Sequence, residues 1–342
     1  MISFECDYLT GAHPAILKRL METNLAAESG YGEDEFSLSA KQKIAALCGT
    51  APEQVFLLAG GTQTNQLVIS TMLTHYEGVI AATTGHVESH EAGAIEFTGH
   101  KVLTVEEHDG KIRPEDLEAY MKTFTSDGNK DHMVQPGMVY ISHPTEYGTL
   151  YGLQELKALR RICDEYGLYL YLDGARLGYG LASPDTDVSI RDIKDLTDVF
   201  YIGGTKCGAL IGEALVFTKP ENVPKYFFTS IKKHGDLLAK GRLVGIQFDV
   251  LFTDGLYSDI CAHAMEMAVK LEKILKDKGL AIFRESPTNQ KFVLLEDEVY
   301  ERLSKDVKMS FWEKPDENHT AVRLATCWST TEEDLKALEA LL

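Results

Sequence analysis

The sequence predicts an α/β fold, with a mostly parallel sheet in a large lobe and a smaller α+β lobe toward the C-terminal end. Three observations carry that expectation. The runs MVYIS (138–142), YLYLD (169–173) and VFYIG (199–203) are nearly unbroken apolar stretches, as strands covered on both faces require. Segments of helical periodicity lie between such runs, the pattern of parallel strands joined by crossover helices. Near Gly245 the alternation gives way to a long helical stretch and then to mixed strands and helices.

Taken in order, the predicted strands of the large lobe are 79–82, 101–105, 138–142, 169–172, 199–202 and 214–217, preceded by an apolar run, Phe56-Leu-Leu, that leads into Gly60-Gly61. The helix 153–166 is predicted because Leu156, Leu159, Ile162 and Cys163 fall on one face. A second helix, 114–124, starts with proline, which is tolerated in a first helical turn. The C-terminal portion reads as a long helix over 256–277 ending at Gly279. Strand-like QKFVLL, a helix over 296–304, strand-like VKMSFWE and TAVRLA, and a last helix over 331–342 follow. The expected division is a large lobe over 14–245 and a small one over 246–342, joined by residues 1–13.

Composition excludes several classes. The net charge of −18 argues against nucleic acid or an anionic membrane as partner. No basic, apolar leader opens the chain and no apolar run approaches a membrane span. The six cysteines are scattered without a CxxC pair, which suits a reduced cytoplasmic protein.

Four constellations carry chemistry. Asp173 directly follows a buried strand in YLYLDGAR, at the sheet edge where α/β proteins bind ligands; the plainer reading is a helix N-cap. Lys206 follows the next apolar strand inside GGTKCG, where glycines let a ligand approach; a solvated loop lysine is the alternative. Gly60-Gly61-Thr62-Gln63-Thr64-Asn65 opens a helix, whose first N–H groups suit phosphate. Neither GxxxxGK[ST] nor GxGxxG occurs, which lowers the NTPase and dinucleotide readings. His86 and His90 have helical metal-ligand spacing, but no third ligand set accompanies them and no metal is expected.

Together these residues resemble the L-threonine aldolases, within the β-eliminating-lyase group of pyridoxal-phosphate (PLP) enzymes. That resemblance implies the PLP-dependent transferase-like fold of type I. It implies that Lys206 holds PLP as a Schiff base, that Asp173 contacts the ring nitrogen, that His86 stacks on the ring, and that Gly61, Thr62 and Asn65 form the phosphate cup. Arg176 and Arg323 would hold a substrate carboxylate. His143 would be a second active-site histidine. Tyr31 in YGED and Arg242 would reach a site shared between subunits of a homodimer or homotetramer. The sequence departs from the family in Cys6 before Asp7, in Cys207 after Lys206, and in HPTEYGT, which resembles one branch only.

The reaction so implied is cleavage of L-threonine or L-allo-threonine, bound through PLP, to glycine and acetaldehyde, with His86 or His143 taking the hydroxyl proton. Two other readings share the fold: a β-eliminating lyase acting on another small amino acid, and a scaffold without chemistry, against which an intact Lys206 argues.

Overall fold

A computed structural model describes residues Met1–Leu342. Its centre is a seven-stranded sheet of β1 (Val55–Leu58), β2 (Glu77–Ala82), β3 (Val102–Val105), β4 (Gln135–Ser142), β5 (Tyr169–Asp173), β6 (Val199–Gly203) and β7 (Glu213–Phe217), in spatial order β1-β7-β6-β5-β4-β2-β3. Pairings from β3 through β6 are parallel, and β7 runs antiparallel between β6 and β1. Helices α1 (Gly61–Met72), α2 (Pro114–Ser126) and α3 (Leu153–Tyr166) cover its faces.

Both faces are dry, which explains the continuous apolar runs. Leu67, Val68, Tyr140, Tyr201 and Leu215 pack on one side, and Ile44, Leu156, Ile162, Leu170 and Phe248 on the other. In α3 the stripe Leu156, Leu159, Ile162 and Cys163 is fully buried, each large side chain contributing about 1.5–3 kcal/mol. Gly167, at φ 69°, ends that helix in the left-handed conformation that glycine adopts without a Cβ penalty.

The helix α4 (Arg242–Leu251) runs through Gly245, and α5 (Leu256–Asp277) leads into an antiparallel sheet of β8 (Ala281–Arg284), β9 (Gln290–Glu296), β10 (Ser310–Glu313) and β11 (His319–Ala325), ordered β10-β11-β9-β8. The stretch expected as one strand, VKMSFWE, divides: Val307–Lys308 pairs in parallel with Ile2–Ser3, and only Ser310–Glu313 joins the sheet. Phe4 is buried with Leu271, Val293 and Val322, and its carbonyl accepts from the Ala325 N–H. The N-terminal segment is thereby carried across the smaller sheet toward the edge of the larger one. No helix is long and apolar enough to cross a membrane.

Candidate active site

The carboxyl ends of β4, β5 and β6 open into a cleft of about 360 Å³. Side chains alternate across a pleated strand. Tyr140 and Ser142 of β4 therefore share a face, as do Tyr171 and Asp173 of β5, and Tyr201 of β6 joins them. Asp173 is 4% exposed and sits among these hydroxyls. Its Oδ2 accepts from Tyr140 at 2.6 Å and from Asn65 Nδ2 at 3.1 Å. Its Oδ1 accepts from the Ala175 N–H at 3.0 Å and from the Tyr201 hydroxyl. Burial alone would raise this carboxyl. His86 and the Tyr140, Tyr201 and Ala175 hydrogen bonds outweigh it and hold the group below the usual range.

Lys206 lies beyond β6, after Gly203-Gly204-Thr205. A Cβ at Gly203 would fall 2.2 Å from the Ala175 carbonyl oxygen, so only glycine lets the two strand-end turns close on each other. The Lys206 carbonyl accepts from Tyr179, whereas its Nζ makes no hydrogen bond within the protein. Burial and the nearby Arg176 lower its pKa, against the pull of Asp7, Asp173 and Glu213. A lysine so placed gives up its proton more readily than a solvated one. Glu213 of β7 fixes the turn, accepting from the Gly204 N–H at 3.1 Å and the Thr205 hydroxyl at 3.0 Å. Burial pushes it up to about 8.

Gly60, Gly61 and Thr62 line the cleft at the start of α1, which has no side-chain cap. A Cβ on Gly61 would lie 3.2 Å from the Tyr201 hydroxyl. The first-turn N–H groups of this helix suit an anion. His86 enters from the opposite wall, with Nδ1 2.8 Å from Glu91 Oε1 and its backbone N–H donating to Glu146 Oε1 at 3.0 Å. Burial would lower its pKa, but Glu91 and Asp173 raise it overall. His86 and His90 stack at 5.7 Å, and no cluster of three or more His, Cys, Asp or Glu side chains is arranged around a metal.

Arg176 also lines the cleft. Asp7 holds it in a two-pronged ion pair, 2.7 Å from Nε to Oδ2 and 3.0 Å from Nη2 to Oδ1, and Asn289 donates to the same carboxylate. Burial would raise Asp7, but Arg176, Lys206 and Asn289 bring it down to about 2. Arg323 on β11 donates to Gln290 Oε1 at 2.9 Å and to Cys6 Sγ at 3.2 Å, and its buried Nε has no partner. The unusual Cys6 therefore touches the second arginine.

Four expected residues sit elsewhere. Asn65 does not face a phosphate cup: fully buried, it donates to Glu91 and Asp173 and accepts from Tyr171. It lies behind Asp173 because it is one helical turn inside α1. His143 is fully buried outside the cleft, its Nδ1 accepting from the Tyr151 N–H at 3.3 Å. It continues the pleat of Val139 and Ile141, which face the opposite side of the sheet from Ser142. Burial and nearby Lys111 push it down to about 4, so it is a neutral core histidine and not a base for a substrate. Tyr31, at φ 63°, lies under Lys232 in a separate hollow. Arg242 donates to the carbonyls of Ala26 and Asn24, away from this chain's own cleft.

Sequence reading did not single out Glu146, Glu213 or the Asp7 partnership. Glu213 left a signal as an acid at the head of the apolar run EALVF, and Glu146 lies in HPTEYGT, the segment that resembles one branch of the family only.

His143→Phe should leave kcat/KM within about threefold of wild type, under 1 kcal/mol of barrier. It strands the buried Tyr151 N–H, at a cost of about 1–3 kcal/mol, so Tm should drop by several degrees. Steady-state kinetics with calorimetry would check this; a hundredfold loss of turnover at unchanged Tm would return His143 to the chemistry.

The family profile described as "Beta-eliminating lyase" matches residues 3–298. The chain belongs to this family. It is 31% identical over 303 residues to a low specificity L-threonine aldolase of Pseudomonas sp. (strain NCIMB 10558), an alignment covering 88% of this chain and 86% of the relative. A low specificity L-threonine aldolase of Saccharomyces cerevisiae is 27% identical, with 81% and 70% covered. The solved threonine aldolase of Leishmania major superposes with a TM-score of 0.95 at 41% identity, covering 100% of this chain and 98% of that one. An aspartate aminotransferase of Thermus thermophilus shares the fold, with a TM-score of 0.69 at 15% identity, covering 100% of this chain and 90% of that one.

This β-eliminating lyase thus has the aspartate-aminotransferase-like architecture, the type I fold of PLP enzymes, and its cofactor is PLP. The cleft's donor set fits that group: an ionised carboxylate, an unpaired amine, an imidazole and an open helix N-terminus around one space.

Proposed function

We propose that this protein cleaves L-threonine and L-allo-threonine to glycine and acetaldehyde as a PLP-dependent carbon–carbon lyase. The observation that carries the reading is an anionic Asp173, fixed by four donors, in the same cleft as a Lys206 amine with no protein partner. The family and the aldolase relatives support it.

In this reading Lys206 would hold the cofactor as a Schiff base, Asp173 would pair with its ring nitrogen and His86 would lie against its ring. Gly61 and Thr62 would offer N–H groups to its phosphate. Asn65 acts on the cofactor only by holding Asp173. When bound, the cofactor supplies an electron sink for the bond broken at the substrate's Cα. Arg176 offers the substrate carboxylate the guanidinium edge that Asp7 leaves free, and Arg323 approaches from the smaller sheet. A carboxylate held by two planar guanidinium groups is fixed in position and plane, which selects the bond to be broken.

Tyr31 and Arg242, turned away from their own cleft, would complete a neighbouring subunit's site in a homodimer or homotetramer, in keeping with closed symmetry. The scattered free cysteines suit a cytoplasmic enzyme.

The rival chemistry is loss of the β-hydroxyl, which yields ammonia and 2-oxobutyrate from threonine. Incubating the PLP-loaded protein with L-threonine and L-allo-threonine and assaying both product pairs decides between them. Glycine and acetaldehyde are expected; ammonia with 2-oxobutyrate would overturn the aldolase reading and leave a β-eliminating enzyme.

A further inference from the structure

Aldol cleavage needs a group that takes the proton from the substrate's β-hydroxyl, and the structure narrows the choice. His143 is sealed in the core. His86 is tied through Nδ1 to Glu91 Oε1 at 2.8 Å, and its ring face is the part that the reading above gives to the cofactor. The carboxyls of Asp173, Asp7 and Glu213 each have both oxygens engaged by protein donors. Glu91 Oε1 accepts from Asn65 and His86, and its Oε2 is sealed from solvent.

Glu146 is different. It lines the cleft beside His86, Asp173 and Lys206. Its Oε1 is fixed by the Ser142 hydroxyl at 2.7 Å and the His86 N–H at 3.0 Å, and its Oε2 has no protein partner. We propose that Glu146 is a catalytic residue of the aldol cleavage, with Oε2 accepting the proton of the substrate's β-hydroxyl. The inference rests on the aldolase reading above and adds the group that reading leaves unassigned.

Proton counting in its surroundings agrees. Ser142 Oγ lies 2.7 Å from Glu146 and 3.2 Å from the Tyr140 hydroxyl, and Tyr140 donates to Asp173 at 2.6 Å. Serine has one proton to give. With Glu146 ionised, that proton turns to Glu146 and the Tyr140 contact has none. With Glu146 protonated on Oε2, Oε1 still accepts from Ser142 and from the His86 N–H, so no contact within the protein has to break. The site therefore accommodates both protonation states of Glu146, as a group that takes up and returns a proton requires. Burial and Asp173 raise its pKa, against Ser142, the backbone N–H and His86, which makes the carboxylate a stronger base.

The step balances as follows. The β-hydroxyl O–H bond breaks and its proton passes to Glu146. The electron pair left on oxygen forms the aldehyde C=O as the Cα–Cβ bond breaks. The pair from that bond stays with the glycine fragment, which takes up one proton at Cα.

The test compares wild type, Glu146→Gln and Glu146→Asp, all PLP-loaded, in two assays: acetaldehyde release from L-threonine, and exchange of a glycine Cα hydrogen in deuterium oxide. Glycine has no β-hydroxyl, so its exchange reports an intact site without needing Glu146. E146Q should lose about 10²–10⁴-fold in cleavage while exchanging glycine at the wild-type rate. E146D, which keeps a carboxylate, should cleave at least about tenfold faster than E146Q, a gap of about 1.4 kcal/mol. Cleavage by E146Q within tenfold of wild type, exchange falling in step with cleavage, or equal cleavage by E146Q and E146D would overturn the assignment. A wild-type enzyme that exchanges glycine but releases no aldehyde would instead sink the aldolase reading, and this inference with it.

Discussion

Lys206→Ala is expected to lower turnover by at least about 10⁴-fold, roughly 5.5 kcal/mol of barrier, and to remove the visible absorption of the lysine-bound cofactor. The size follows from the role proposed for this amine. The Lys206 Nζ has no partner in the protein, and burial together with Arg176 favours its neutral, nucleophilic form. No other lysine lines the cleft, so no neighbour can take over. Arginine is no substitute, because its guanidinium stays protonated. Absorbance spectra of the PLP-loaded wild type and variant would check the expectation. Borohydride reduction of wild type followed by peptide mass spectrometry should tag Lys206 itself. Turnover in Lys206→Ala within tenfold of wild type would remove this residue from the cofactor site.

Asp173→Asn is expected to keep most of its cofactor while kcat falls by about 10²–10³-fold, roughly 3–4 kcal/mol. Two effects combine. The substitution removes the negative charge that would pair with the ring nitrogen. It also turns an acceptor-only group, surrounded by four donors, into an amide with two donor hydrogens of its own. Whichever way the amide turns, one pair of donors faces its NH2: either Tyr140 and Asn65, or Tyr201 and Ala175. A buried donor left without a partner costs about 1–3 kcal/mol, so Tm should fall as well. Cofactor content, kcat and Tm measured on one preparation separate the two effects. A loss of less than tenfold in kcat with a clear drop in Tm would make Asp173 a structural cap of the following turn, which its bond to the Ala175 N–H would explain.

Much of the frame was legible because strand and helix signals are local. The apolar runs of β4, β5 and β6 are strands buried on both faces, and the stripe on α3 is the buried stripe of the helix. The edge strand β8 escaped notice because its half-exposed residues carry little apolar pattern. VKMSFWE could not be divided from sequence, since the break is set by pairing with Ile2–Ser3 at the far end of the chain. Among the site residues, Asp173 and Lys206 stood out because Asp173 ends a buried strand and Lys206 lies in the glycine-rich turn just beyond one. His143 follows one directly, yet parity on the pleat turns it into the core, one residue out of step with Ser142. Asn65 sits in the expected loop-to-helix motif but one turn too deep to meet a phosphate.

The sequence by itself therefore determined the α/β class and placed Asp173, Lys206 and the Gly60–Thr62 turn at strand and helix ends. Those features depend on residue type and short-range periodicity. Only the tertiary structure decided which side chains share the cleft. Arg176 meets Asp7, 169 positions away, Asn65 meets Asp173 across 108, and the N-terminal Cys6 meets Arg323. It also decided their charge states, because desolvation and Coulomb attraction depend on what the fold packs around each group. No local pattern records which neighbour lifts Glu146 or holds Asp173 and Asp7 ionised.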